Sequence, residues 1–132
     1  MSGLEKKFAT KSKIVNYIIN RESTSKVEIS KELNLSMPTV LSNVKDLLEK
    51  GVIIETGEYE STGGRKAKSI GINPSYRYAM GIVITANHLG MVLVNLKYEI
   101  VKSERIRLKF VPDMSYCSQV ADFAEKFLDH MN

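Results

Sequence analysis

The 132-residue chain has little of what several protein classes require. It has one cysteine, Cys117, and no tryptophan. A lone cysteine closes no internal disulfide and builds no cysteine-based zinc site, which excludes a disulfide scaffold and a zinc finger. Three prolines and eight glycines in scattered positions exclude a collagen-like or low-complexity chain. No apolar run nears the roughly 18–20 residues that a membrane-spanning helix needs. The opening Met1-Ser2-Gly3-Leu4-Glu5-Lys6-Lys7 lacks the apolar core of a signal peptide, so a cytoplasmic location is expected. The two histidines, His88 and His130, have no partners at metal-ligand spacing, and the chain has no Walker-type lysine loop. Neither a metal nor a cofactor is expected.

What is present is an ordinary soluble composition, 43% hydrophobic and 26% charged, with a net charge of +4. The basic excess is uneven. Residues 1–75 carry twelve basic and nine acidic side chains, residues 76–132 seven and six. An excess of this size is compatible with a polyanionic partner and equally with a plain solvated surface.

The apolar periodicity predicts an α+β chain. Ile14, Val15, Ile18 and Ile19 form a helical stripe between Thr10 and Asn20. A second helix opens at Ser25-Lys26-Val27-Glu28, a capping-box pattern, with Ile29 and Leu33 facing inward. Asn34 stands where a left-handed residue would end it. The third helix follows at Ser36-Met37-Pro38-Thr39, with Ser36 as cap and Pro38 in the first turn, where a missing amide hydrogen costs little. Its inner stripe is Val40, Val44, Leu47 and Leu48, and Lys50-Gly51 ends it. Two short helices across a tight turn, behind a supporting helix, describe a helix-turn-helix. The period then changes to two in Val52–Ile54 and Ser69–Ile72, a hairpin or wing with a long polar tip.

Asn73-Pro74-Ser75 is a turn, and the domain boundary is placed there: 1–75 as a winged helix-turn-helix, 76–132 as a second segment. Strands over 78–85, 88–96 and 100–108 read as an antiparallel meander, followed by a helix over 115–131.

Two features carry possible chemistry. On the third helix, Thr39, Ser42, Asn43 and Asp46 are expected to point outward, short enough to approach base edges in a major groove. Ser36 and Lys45 are candidate phosphate contacts, with Met37 beside them. At the wing tip, Ser61-Thr62-Gly63-Gly64-Arg65-Lys66 places an arginine on a narrow projection suited to a minor groove. Lys68 adds a further cation. An ordinary polar helix and a flexible turn account for the same residues when each is taken alone.

Together these motifs resemble the repressor branch of the ROK family. The resemblance lies in Leu35-Ser36-Met37-Pro38-Thr39-Val40, Leu47–Ile53, Ser61–Lys66, Ile72-Asn73 and Tyr78–Ile82, covering about residues 8–110. It implies a DNA-binding domain followed by the opening of an actin-like (ribonuclease-H-like), sugar-kinase-type sensor domain. It also implies a repressor of carbohydrate-utilisation genes that binds double-stranded DNA as a homodimer. A sugar effector would bind only if a full-length sensor domain exists, because the family's sugar-contacting residues and zinc site are expected beyond residue 132. The chain departs from the family twice. Kinase members carry an Asp-x-Gly-Gly-Thr-type loop where this chain has Gly81–His88, so no enzyme activity is expected. Repressors commonly carry Ser-Arg after the Thr-Val pair, where this chain has Leu41-Ser42.

Two rival functions are a protein-binding winged-helix adaptor and half of a sugar kinase. The 78–131 segment offers apolar side chains, Met80, Ile82, Ile84, Val92, Val94 and Leu96, to both faces of a sheet that one helix covers on one side only. Self-association through that segment is therefore expected.

Overall fold

The computed structural model describes residues 2–59, 67–129 and 131. Among the described residues, four helices and five strands fall into two compact units that divide between Tyr76 and Arg77.

In the first unit, α1 spans Gly3–Ile19, α2 Lys26–Leu33 and α3 Met37–Glu49. Strands β1 (Ile53–Tyr59) and β2 (Ala67–Ile72) form an antiparallel hairpin. Helix α1 starts well before the apolar stripe that marks it in the sequence. Ser2 and Glu5 make a reciprocal capping box at its first turn, and Leu4 and Phe8 on the added turns are exposed. At α2 the Ser25 hydroxyl accepts from the Glu28 amide as expected, but the Glu28 carboxylate accepts from the Tyr17 hydroxyl, 3.1 Å away. The second half of the expected box is thus replaced by a bond that ties α2 to α1. Asn34 closes α2 at φ 52°, ψ 49°, a left-handed conformation that its short polar side chain tolerates. Gly51 has φ 75° just beyond α3, where a side chain would be strained.

The core of this unit gathers Ile14 and Ile18 from α1, Ile29 from α2, Val40, Val44 and Leu47 from α3, and Ile53, Ile70 and Ile72 from the hairpin. The hairpin is also joined to the α1–α2 connection. Thr24 and Ile70 exchange two backbone hydrogen bonds, at 2.9 and 2.8 Å. At the hairpin's base, Asn73 donates its backbone amide to Val52 and its side-chain amide to Gly51, both at 2.9 Å.

The second unit is a three-stranded antiparallel sheet, ordered β3 (Ala79–Ile84), β4 (His88–Val94), β5 (Ile100–Arg107), with helix α4 (Met114–Leu128). Tyr98, at φ 62°, turns the chain between β4 and β5, and Asn95 Oδ1 accepts from the amides of Lys97 and Glu99 there. Asp113 caps α4 through the Tyr116 amide. Leu89, Met91 and Leu93 on the central strand pack with Phe127 of α4 as a small closed core. Lys102 of β5 donates to the Phe127 carbonyl at 2.6 Å and lies over its ring.

Strand register explains which side chains stay open. Ile84, Ile82 and Met80 pair with Leu89, Met91 and Leu93 and so share their face, yet they are 38–49% exposed. Val92 and Val94 lie on the opposite face and are half-buried. On the α4 side the β3 row and Ile106 of β5 therefore stay open, and on the opposite face Val83 and Val101 are exposed.

Candidate nucleic-acid interface

Helix α3 is positioned by three local devices. Asn34 turns the chain within two residues, the Ser36 hydroxyl accepts from the Thr39 amide, and the Ser30 hydroxyl donates to the Leu35 carbonyl at 2.6 Å. With Val40, Val44 and Leu47 buried, the opposite side of α3 faces solvent.

The residues expected on that side separate into two rows. Ser36, Met37, Ser42 and Lys45 are exposed. Thr39 and Asn43 are half-buried and already engaged: Thr39 Oγ1 meets Ser36 Oγ at 2.8 Å, and Asn43 Nδ2 donates to the Thr39 carbonyl at 2.8 Å. Asp46, in the same row, pairs with Lys11 of α1 and, at 3.0 Å, with Lys50. The hydrogen bond from Lys11, then that from Lys50, holds the Asp46 carboxyl below the usual carboxylate value. The Lys50 ammonium is raised by Asp46 in turn. The Asp46 carboxylate is thus neutralised by cations, which removes one charge that would repel phosphate; Glu49, at the end of α3, is exposed.

A groove of about 820 Å³ opens between the first turns of α1 and this flank of α3. Lys6, Lys7, Lys11, Thr39 and Ser42 are among its lining residues. Lys6 and Lys7 escape the sequence reading because it begins the helix at Thr10, whereas Lys11 lies within it. The Ser-x-x-Glu pattern at Ser2–Glu5 was the signal that would have placed them on a helix. Leu41 was also missed as a surface residue of α3; it follows Val40 by one position, about 100° around the helix and off the buried stripe.

On the hairpin, Lys68 is exposed and lies 3.5 Å from Glu55. Gly63, Gly64, Arg65 and Lys66 fall outside the described residues, as does His130. Cys117 is exposed. Among the described residues no group of His, Cys, Asp or Glu is arranged to hold a metal, and no helix is long and apolar enough to cross a membrane.

A supporting helix, two helices across a left-handed asparagine turn, and a hairpin directly after the second of them define a winged helix-turn-helix DNA-binding domain. Residues 8–54 match the winged helix-turn-helix DNA-binding family. Over two thirds to three quarters of its length the chain is similar to xylose repressors. It is 29% identical over 96 residues to a putative xylose repressor of Caldicellulosiruptor sp., covering 73% of this chain and 24% of that one. It is 26% identical to the xylose repressor of Bacillus subtilis (67% and 23% covered) and 32% identical to that of Lactiplantibacillus pentosus (75% and 26%). The chain thus spans about a quarter of the length of these relatives. The same fold occurs in the crystal structure of a ROK-family transcriptional regulator described as a homologue of the E. coli Mlc protein. There the TM-score is 0.69 at 18% identity, over 93% of this chain and 31% of that one.

Proposed function

We infer that the chain is the DNA-reading part of a non-enzymatic, cytoplasmic transcriptional repressor of carbohydrate-utilisation genes. The observation that carries this reading is α3 itself. Its N-terminal turns expose Ser36 and Ser42, and its middle Lys45, next to a lysine-bearing groove, directly before a hairpin in wing position. Such a helix enters a major groove by its first turns, with cations on either side neutralising phosphates. The residues proposed to contact DNA are Ser36, Met37, Thr39, Ser42, Asn43, Lys45 and Lys68, with Gly63, Gly64, Arg65 and Lys66 at the wing tip. The link to sugar metabolism rests on the xylose repressors named above. Residues 76–132 are read as the start of a sensor domain, and the chain is read as a homodimer, two recognition helices reading the two halves of a palindrome.

The test is a gel shift on the DNA upstream of the chain's own gene, titrated with salt. Each phosphate neutralised contributes a log–log slope of roughly −0.9, so several contacts give a steep loss between low and moderate salt. Affinity that ignores salt would sink the reading.

A further inference from the structure

The residue best placed to choose a base is one that cannot hydrogen-bond to it. Leu41 is 44% exposed on α3, and Met37, one turn earlier, is 37% exposed. Residues four apart share a helix face, so Met37, Leu41, Lys45 and Glu49 form one exposed row along α3, next to the buried stripe at its start. Two apolar side chains therefore occupy its first turns and a cation its middle, with Ser36 and Ser42 adjacent.

Resting on the DNA-binding reading above, we propose that Leu41, assisted by Met37, selects thymine by contact with its C5-methyl group. Among the four bases, thymine alone places a methyl in the major groove; the remaining edge groups are donors and acceptors. A leucine side chain held against the edge of a G·C pair would strip water from N7, O6 and the N4 amino group and return no hydrogen bond, a net cost. Against thymine the same side chain buries a methyl. Row geometry supports DNA over a protein partner as occupant. The apolar strip is two side chains long, too small for a protein interface core; Lys45 and then Glu49 continue its row, the Ser36 and Ser42 hydroxyls stand beside it, and the lysines of α1 line the groove on the neighbouring flank of α3.

The experiment selects duplexes from a randomised pool with the full 132-residue chain, then replaces each enriched thymine by deoxyuridine, which differs by the methyl alone. The expected result is enrichment of thymine at one or two positions per half-site, with an affinity loss of about threefold to tenfold on the uridine swap at those positions. Leu41→Ala should be indifferent to the swap and keep its salt-dependent binding to random DNA. Retained sequences without a preferred thymine, or an unchanged affinity on the uridine swap, would overturn the proposal while leaving DNA binding intact. A folded chain that retains no duplex at any salt would overturn the DNA reading as well. If Leu41→Ala instead lowers self-association and leaves the thymine preference in place, the row is a protein contact and the proposal fails.

Discussion

From residue 2 to Tyr76 apolar side chains converge from three helices and a hairpin, whereas from Arg77 onward one helix serves a whole sheet. The two regions draw on similar aliphatic residues and reach different ends. Ile14, Ile18 and Ile29 are fully buried because every element of their unit contributes a wall. Ile82 and Ile84, equally apolar, stay 45% and 49% exposed because they lie on β3, at the edge of the sheet, while α4 packs with the β4 residues beside them. Burial follows from how many layers meet at a position, and side-chain chemistry only permits it. The first region is consequently a stiff platform suited to holding a recognition helix at a fixed angle, and the second is a surface with apolar area to cover.

Substitutions at single core positions test this contrast. Phe127→Ala should have the largest effect, about 3–5 kcal/mol, because Phe127 is the fully buried α4 side chain in a four-residue cluster. Hydrogen exchange should show protection lost in β3–β5 and retained in α1–α3; loss in both regions would mean that the units are not independent. Ile18→Ala should cost about 2–5 kcal/mol and give the mirror image, unfolding α1–α3 while the sheet persists. Removing the α2 cap with Ser25→Ala should cost about 0.5–2 kcal/mol, read as a lower melting temperature of the first region only.

The smallest effect belongs to Asp46→Asn. The folded Asp46 carboxyl is depressed by Lys11 and Lys50, so its stabilisation is present at neutral pH. It is lost as pH falls through the folded value, below the ordinary 3.8. The raised Lys50 ammonium adds stability that is lost at the alkaline end, as pH climbs through its folded value. The difference in melting temperature between the native chain and the variant should therefore shrink in acid. A gap that is constant across that range would show that the ion pairs contribute nothing.

Local rules were enough to read the helix-turn-helix from the sequence. Ser25, Asn34, Ser36, Pro38 and Gly51 each act on the backbone within a turn of themselves, so their roles are written in adjacent residues. The meander and α4 were legible for the same reason, to within a few residues at each end. What periodicity did not convey were contacts between distant residues. Tyr17 takes the Glu28 carboxylate from its own helix cap, and Lys11 reaches Asp46 from another helix. The split of α3's outer side into an engaged row and an open row depends on such neighbours. The exposed sheet surface was legible in part: an uncovered apolar face was expected, and Val83 and Val101 stand exposed there, but the β3 row on the helix side stays open as well, beyond the reach of α4.

The hydrogen bonds between Thr24 and Ile70 bear on when the DNA-reading unit is finished during synthesis. Contacts between residues so far apart in sequence close late, because the entropy of the intervening loop must be surrendered before the contact returns anything. Helices α1 to α3 can form as they leave the ribosome, but Ile70 and Ile72 complete their core only once the whole hairpin has emerged. A nascent chain stalled before that point would expose Ile14, Ile18 and Ile29 with no hairpin to cover them, a natural substrate for a chaperone. Ribosomes carrying arrested chains of increasing length should therefore gain protease resistance in one step, soon after Ile72 clears the exit tunnel.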